Sequence, residues 1–166
     1  MLYLDASALV KRYVDEGDGG TPFIDAVMEE PQRWGGLVSS EWLLLEVTSA
    51  LTRKLRSGRL DASTYAYLLR RFRNDAEGLG LIEVGSEVIR AAAGMMEAVR
   101  GVERFHSGDA IHLYTAQQLS SGVPEHDAFL FVTTDVGLMR TAQAIGMQAV
   151  DPRTQPVAHL EAIFPS

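Results

Sequence analysis

The sequence predicts an α/β protein with a central, mainly parallel sheet sandwiched by helices. Three observations point there. Short apolar runs alternate with stretches of helical periodicity along the chain. The runs are too short for a large barrel. No repeat, low-complexity tract or linker divides the 166 residues, a length that suits one domain.

The elements follow in order. Leu2-Tyr3-Leu4 is an apolar run ended by Asp5, and a brief helix is expected over Ser7 to Val14. The acidic, Gly-rich turn Asp15 to Gly20 breaks it. Thr21-Pro22 reads as an N-cap with proline at the first helical position, opening a helix to about Glu30 that Pro31 stops. Trp34 to Ser39 is a weaker strand. Ser39 or Ser40 can cap a long helix from Glu41 to Arg56, with Gly58 as its stop. Asp61 caps the next helix, where Tyr65, Leu68, Leu69, Phe72 and Ala76 recur at helical spacing. The pair makes an αα-hairpin.

Leu81 to Val84 is a strand, and Ser86 with Glu87 opens another helix. Ser107-Gly108-Asp109 precedes a helix from Ala110 to Leu119. Phe129 to Thr133 is the strongest strand, aromatic and β-branched, ended by Asp135. A helix to Ile145 closes on Gly146, and Met147 to Val150 is a last strand. Residues 1–152 read as the domain and 153–166 as a tail whose Val157, Leu160 and Phe164 can pack on it.

Composition narrows the function. Apolar residues are 46% and charged residues 22%, which argues against disorder. No apolar run reaches the roughly 18 residues of a membrane span. Met1 to Asp5 does not look like a signal peptide. There is no cysteine, so disulfides, Cys-ligated zinc, iron–sulfur clusters and thiol catalysis are excluded together. A cytoplasmic protein fits. The net charge of −7 does not gather nucleic acid by bulk attraction. Yet Arg53 to Arg73 carries Arg53, Lys54, Arg56, Arg59, Arg70, Arg71 and Arg73 against Asp61 alone, a local +6 that leaves −13 elsewhere. Such asymmetry marks either a binding face or a solvated one.

The acids carry the chemistry. Asp5 and Asp135 each sit where an apolar strand gives way to a helix. In open α/β sheets that carboxyl edge is where ligands bind, though aspartate there also caps helices. Glu46 falls at the margin of its helix's apolar arc, pointing at a cleft or simply solvated. Asp109 is an N-cap or a first-turn acid aimed at the sheet edge. His112, at i+3 from Asp109, either braces it or is a satisfied core histidine. Several acids brought together repel unless a cation or proton intervenes. Such a cluster suits hard divalent cations, Mg²⁺ or Mn²⁺, which take oxygen ligands and serve phosphodiester hydrolysis. Ser7 and Thr133 can add hydroxyls. Phosphate-binding glycine loops and G-x-S-x-G are absent, and His106, His112, His126 and His159 form no zinc signature.

Four segments resemble the PIN-domain nucleases, and within them the VapC-type toxins of toxin–antitoxin pairs. They are Tyr3-Leu4-Asp5-Ala6-Ser7-Ala8-Leu9-Val10-Lys11, Ser39-Ser40-Glu41-Trp42 leading to Glu46-Val47, Gly108-Asp109-Ala110-Ile111-His112-Leu113, and Val132-Thr133-Thr134-Asp135. The likeness covers about residues 1–152. It implies a PIN-like fold with an acidic pocket at the carboxyl edge, formed by Asp5, Glu46, Asp109 and Asp135, with Ser7 as the family's small hydroxyl residue. It further implies Mg²⁺- or Mn²⁺-dependent hydrolysis of RNA, a homodimer, and a small antitoxin whose basic segment enters the pocket.

RNA contacts are expected from Lys11, Arg12, Arg53 and Arg56, with single-stranded or loop RNA as the target. The apolar residues of the helix from Thr21 and of the αα-hairpin exceed what one sheet face needs, which also favours a symmetric dimer. Three other classes fit the residues less well. A phospho-accepting receiver domain would need a lysine after a late strand, and only Lys11 and Lys54 exist. A binding-only PIN-like module would have no need of all four acids. A flap nuclease needs extra elements for which the chain has little room. RNA processing outside a toxin pair stays open, because fold and site alone do not decide it.

Overall fold

β1 (Leu2–Leu4) stands at the centre of the fold, and all three of its residues are fully buried. The computed structural model describes residues 1–99, 105–124 and 127–164. His126 and the last two residues of the expected tail lie outside the described residues. β1 pairs in parallel with β2 (Leu37–Ser40) on one side and β4 (Leu130–Val132) on the other. β3 (Gly80–Ile82) pairs with β2, and β5 (Ala149–Val150) pairs with β4. The order is therefore β3-β2-β1-β4-β5, all parallel. It is the helix-sandwiched α/β architecture that the sequence predicts.

Alternating side chains of the central strands divide the core. On one face Leu2, Leu4, Leu130 and Val132 meet α1 (Ala6–Leu9), α2 (Gly20–Glu29), α3 (Trp42–Arg56) and α4 (Ala62–Glu77). On the other, Tyr3 and Phe131 meet α6 (Ser107–Gly122) and α7 (Val136–Ala144). α5 (Ser86–Ala98) packs outside α6 through Ala92, Ala110 and Ile111. No helix among the described residues is long and apolar enough to cross a membrane.

The chain runs outward from β1 to β2 and β3, then crosses back to β4 on the other side. This reversal puts a crevice between the carboxyl ends of β1 and β4. Asp5 and Asp135 stand at those two ends and cap α1 and α7, accepting from Ser7 N and Leu138 N. Capping and site-building are thus one arrangement here.

Several element boundaries differ from expectation. α2 begins at Gly20 after Gly19, which adopts φ 84°. Thr21 is no cap; its hydroxyl donates to the Lys11 carbonyl instead. Trp34 ends a 3-10 turn (Pro31–Trp34) and does not open β2. Ser39 and Ser40 do not cap α3. They finish β2, and the Ser39 hydroxyl donates to the Leu4 carbonyl across the sheet at 2.7 Å. α6 starts three residues earlier than predicted, at Ser107, because His106 takes the cap position and Asp109 the third turn position of a capping box.

The tail forms α8 (Val157–Ile163), which places Leu160 fully inside the first core cluster, with Val157 and Phe164 against it. Leu160→Ala should therefore cost about 2–5 kcal/mol, as cavity formation at a closed site does. Thermal denaturation checks this, and a melting temperature lowered by about 5–15 °C is expected.

Candidate metal centre

Asp5 is 5% exposed, so its charge needs compensation from the protein. Its Oδ2 accepts from the Ser7 hydroxyl at 2.5 Å, the Thr133 hydroxyl at 2.8 Å and Ser7 N at 3.2 Å. Those hydroxyls also fix the neighbouring strand end. Thr134 N donates to Ser7 Oγ at 3.0 Å and Asp135 N to Thr133 Oγ1 at 3.1 Å. The expected supporting roles of Ser7 and Thr133 are realised as bonds to Asp5.

The other acids are held in a similar manner. Asp135 Oδ1 accepts from Leu138 N at 2.8 Å. Asp109 Oδ2 accepts from His106 N at 2.6 Å. Glu46 Oε2 pairs with His112 Nε2 at 2.7 Å. Each carboxylate thus has one oxygen held by the protein. Its second oxygen has no hydrogen bond among the described residues. Asp5, Glu46, Asp109 and Asp135, drawn from four separate segments, line one cleft of about 800 Å³.

Of the two alternatives for His112, the structure shows a buried, hydrogen-bonded histidine that does not brace Asp109. The early start of α6 turns the Asp109 carboxylate back to His106, while His112 lies fully buried beneath the sheet edge. Its Nε2 donates to Glu46 and stands 3.7 Å from Asp5 Oδ1. Its Nδ1 meets the Tyr3 hydroxyl at 3.0 Å and Ser40 Oγ at 3.3 Å. Burial opposes protonation of His112, but the Glu46 hydrogen bond and the charges of Asp5, Glu46 and Asp109 outweigh it and raise the pKa. Burial has the opposite effect on the Tyr3 phenol, raising its pKa, so that it stays protonated.

Oxygen and nitrogen atoms of Asp5, Glu46 and His112 lie within 4.8 Å of one another, a spacing a metal ion can bridge. Since the His112 Nε2 proton points at Glu46, His112 acts as donor to that carboxylate, not as a ligand. What remains toward the cleft is an all-oxygen donor set, which fits a hard divalent cation. Asp109 reports the crowding of charge. Its pKa is pushed up to about 6, first by burial and then by Asp5 and Asp135, against the lowering effect of the His106 hydrogen bond. A bound cation would relieve that repulsion.

The expected RNA contacts divide. Lys11 is buried, with Glu16 and Asp18 each 2.5 Å from its Nζ. Arg12 sits between Asp75 at 2.8 Å and Asp25 at 2.9 Å. Both are held in intramolecular ion pairs that fasten the Asp15–Gly20 turn, α2 and α4. Arg53 and Arg56 are exposed, but Arg53 alone of the two lines the cleft.

Sequence reasoning missed several parts of the site. Trp42, Leu45 and Arg59 form its walls, and Tyr3 stands behind His112. Gly108 was legible only as the residue before Asp109, yet a Cβ there would collide with Glu46 Oε1. The carboxylate of Glu46 is thus wedged between His112 and the bare backbone of Gly108.

Among solved structures, PAE2754 from Pyrobaculum aerophilum is similar in fold, with a TM-score of 0.57 and 24% identity over 97% of this chain and 95% of that one. No family model matches this chain, and no curated protein does.

Two predictions follow from the geometry. Gly108→Ala should displace Glu46 and weaken Mn²⁺ binding about tenfold or more, as loss of a supporting contact does; isothermal titration measures it, with circular dichroism unchanged. Asp109→Asn should stabilise the metal-free protein above pH 6. The folded-state pKa of Asp109 lies above its unfolded value, so its ionisation destabilises the fold as pH rises through about 4 to 6. After discounting for solvent screening, the gain is about 1 kcal/mol, or roughly 2–4 °C at pH 8, vanishing near pH 4. A divalent cation held by these acids would reverse the order, because it would stabilise the wild type more; melting with added Mn²⁺ measures it.

Proposed function

We propose that this protein is a metal-dependent ribonuclease of the PIN type that hydrolyses phosphodiester bonds in single-stranded or loop RNA. The observation that carries the proposal is the convergence of Asp5, Glu46, Asp109 and Asp135 on one cleft at the carboxyl edge of a parallel sheet, each with one oxygen held and one left for a ligand. The sequence resemblance to PIN-domain nucleases supports the same residues.

Mg²⁺ or Mn²⁺ bound by these acids would supply activation of water and stabilisation of the departing oxygen. The chain's own part is to hold that ligand set rigid. Ser7 and Thr133 fix Asp5, His112 fixes Glu46, and the capping bonds fix Asp109 and Asp135. Buried support of this kind keeps four like charges in place before a substrate arrives.

The role as the toxin of a toxin–antitoxin pair rests on the sequence resemblance, as do the homodimer and the small antitoxin. The acidic cleft suits that partner: an arginine-bearing segment would pair bidentately with its carboxylates.

Asp5→Asn keeps the cap and the hydroxyl bonds but removes the charge. We expect it to fold normally and to lose RNA cleavage in Mn²⁺ by on the order of 10³-fold, equivalent to several kcal/mol of lost stabilisation. Cleavage of a mixed structured and single-stranded RNA, with Mn²⁺, with Mg²⁺ and with EDTA, measures it. Undiminished turnover in the variant would sink the assignment.

A further inference from the structure

Among the described residues, four cations line the cleft: Lys11, Lys54, Arg53 and Arg59. Two of them are already neutralised. Lys11 holds Glu16 and Asp18, and Lys54 holds Glu16 at 2.6 Å. The other two are exposed and have no carboxylate partner among the described residues. Arg53 rests on a neutral group, the Ser49 hydroxyl, at 2.9 Å. In a chain of net charge −7, two uncompensated guanidiniums beside four carboxylates make a cleft with two electrical ends.

α3 and its C-terminal turn build this arrangement. Glu46 and Arg53 lie two helical turns apart on the same face, about 10 Å along the axis. α3 then ends in a glycine turn. Gly58, at φ 72°, donates to the Leu55 carbonyl at 3.0 Å, and Arg59 N donates to Lys54 O at 2.9 Å. This pairing is the Schellman closure, which only a residue at ease with positive φ completes without strain. It folds the chain back so that Arg59 lines the same cleft as Arg53. Trp42 and Leu45 line the cleft as well, and Leu45 is 57% exposed.

We infer that Arg53 and Arg59 form a phosphate clamp that grips the RNA strand away from the bond cut at the carboxylates. The clamp takes its ligand from the ribonuclease reading and its place from the charge pattern. Guanidinium is always charged and matches phosphate oxygens bidentately. Successive phosphates of a stacked strand are spaced about 3.4 Å along its axis. A separation of about 10 Å along the helix therefore puts the gripped phosphate roughly three linkages from the scissile one. An acidic protein segment fits less well. It would satisfy the arginines but meet four carboxylates at the other end, whereas a cation held by those carboxylates would accept the reacting phosphate of RNA.

The double variant Arg53→Gln with Arg59→Gln tests the clamp, beside Arg53→Lys with Arg59→Lys, which keeps the charges. Both arginines are exposed, so the fold is expected to survive, and circular dichroism verifies it. The first arm measures binding of a short fluorescent single-stranded RNA in EDTA. The glutamine pair should weaken binding about tenfold and lower the slope of log affinity against log salt by about 0.7 per arginine removed. The lysine pair should recover most of that slope.

The second arm measures cleavage in Mn²⁺ of RNAs bearing one neutral methylphosphonate at each linkage in turn. For the wild type the loss should appear as raised KM and concentrate at a linkage near the cut. For the glutamine pair that penalty should vanish. Unchanged affinity and salt slope, an equal penalty at every linkage, or selective loss of binding to an acidic peptide while RNA binding persists would each overturn the clamp. If wild type and Asp5→Asn bind RNA alike and neither cuts it, the ribonuclease reading fails while the binding arm still decides the clamp.

Discussion

A nearly buried carboxylate at the end of the central strand is the constraint around which the site is arranged. Asp5 stops β1, and two hydroxyls and one backbone amide satisfy its Oδ2. One of those hydroxyls, Thr133, comes from the end of β4. Compensating Asp5 therefore also sets the spacing of the two strand ends. Thr133 in turn receives Asp135 N, so the geometry of the second acid follows from that of the first. The crevice created by strand order is fixed by hydrogen bonds that the charge itself demands.

Glu46 poses a different problem, because it projects from a helix and has more rotamers to lose. The fold restricts it from two sides. His112 donates to one oxygen, and Gly108 leaves room for the other. His112 is itself held by Tyr3 and Ser40, residues of β1 and β2. The chain of contacts thus runs from the centre of the sheet through an aromatic hydroxyl and an imidazole to a carboxylate on a different layer. A histidine suits this position. It is large enough to reach from the sheet to α3, and it carries two distinct nitrogens, one for each side.

Much of this was legible in the sequence. Strand ends marked by aspartate, helical periodicity after Asp61 and the strongest strand at Phe129–Thr133 all appear where the residues place them, because short buried runs and caps are local signals. The four acids were legible for the same reason. The partner of His112 was not, since i+3 spacing pointed to Asp109 while the actual contact spans α6 to α3. An N-cap histidine, which is not among the usual capping residues, starts α6 three positions early and makes Asp109 a first-turn acid that accepts from His106 N. The ion pairs of Lys11 and Arg12 were not legible either, because no local signal marks Glu16, Asp18, Asp25 and Asp75 as the acids that fold over them.

The basic stretch shows why a charge run is not itself a binding face. Its seven cations separate into groups with different work. Lys54 ties down the Asp15–Gly20 turn through Glu16. Arg71 lies over the Tyr13 ring at 5.9 Å and near Asp25. Arg70 and Arg73 border a separate surface groove on α4. Among the described residues, Arg53 and Arg59 are the ones that bring uncompensated charge to the cleft with the acids. What the sequence counts as one patch, the αα-hairpin distributes over different faces. The quantity that matters for a polyanion is then not the summed charge but the number of guanidiniums left without a carboxylate beside the acids.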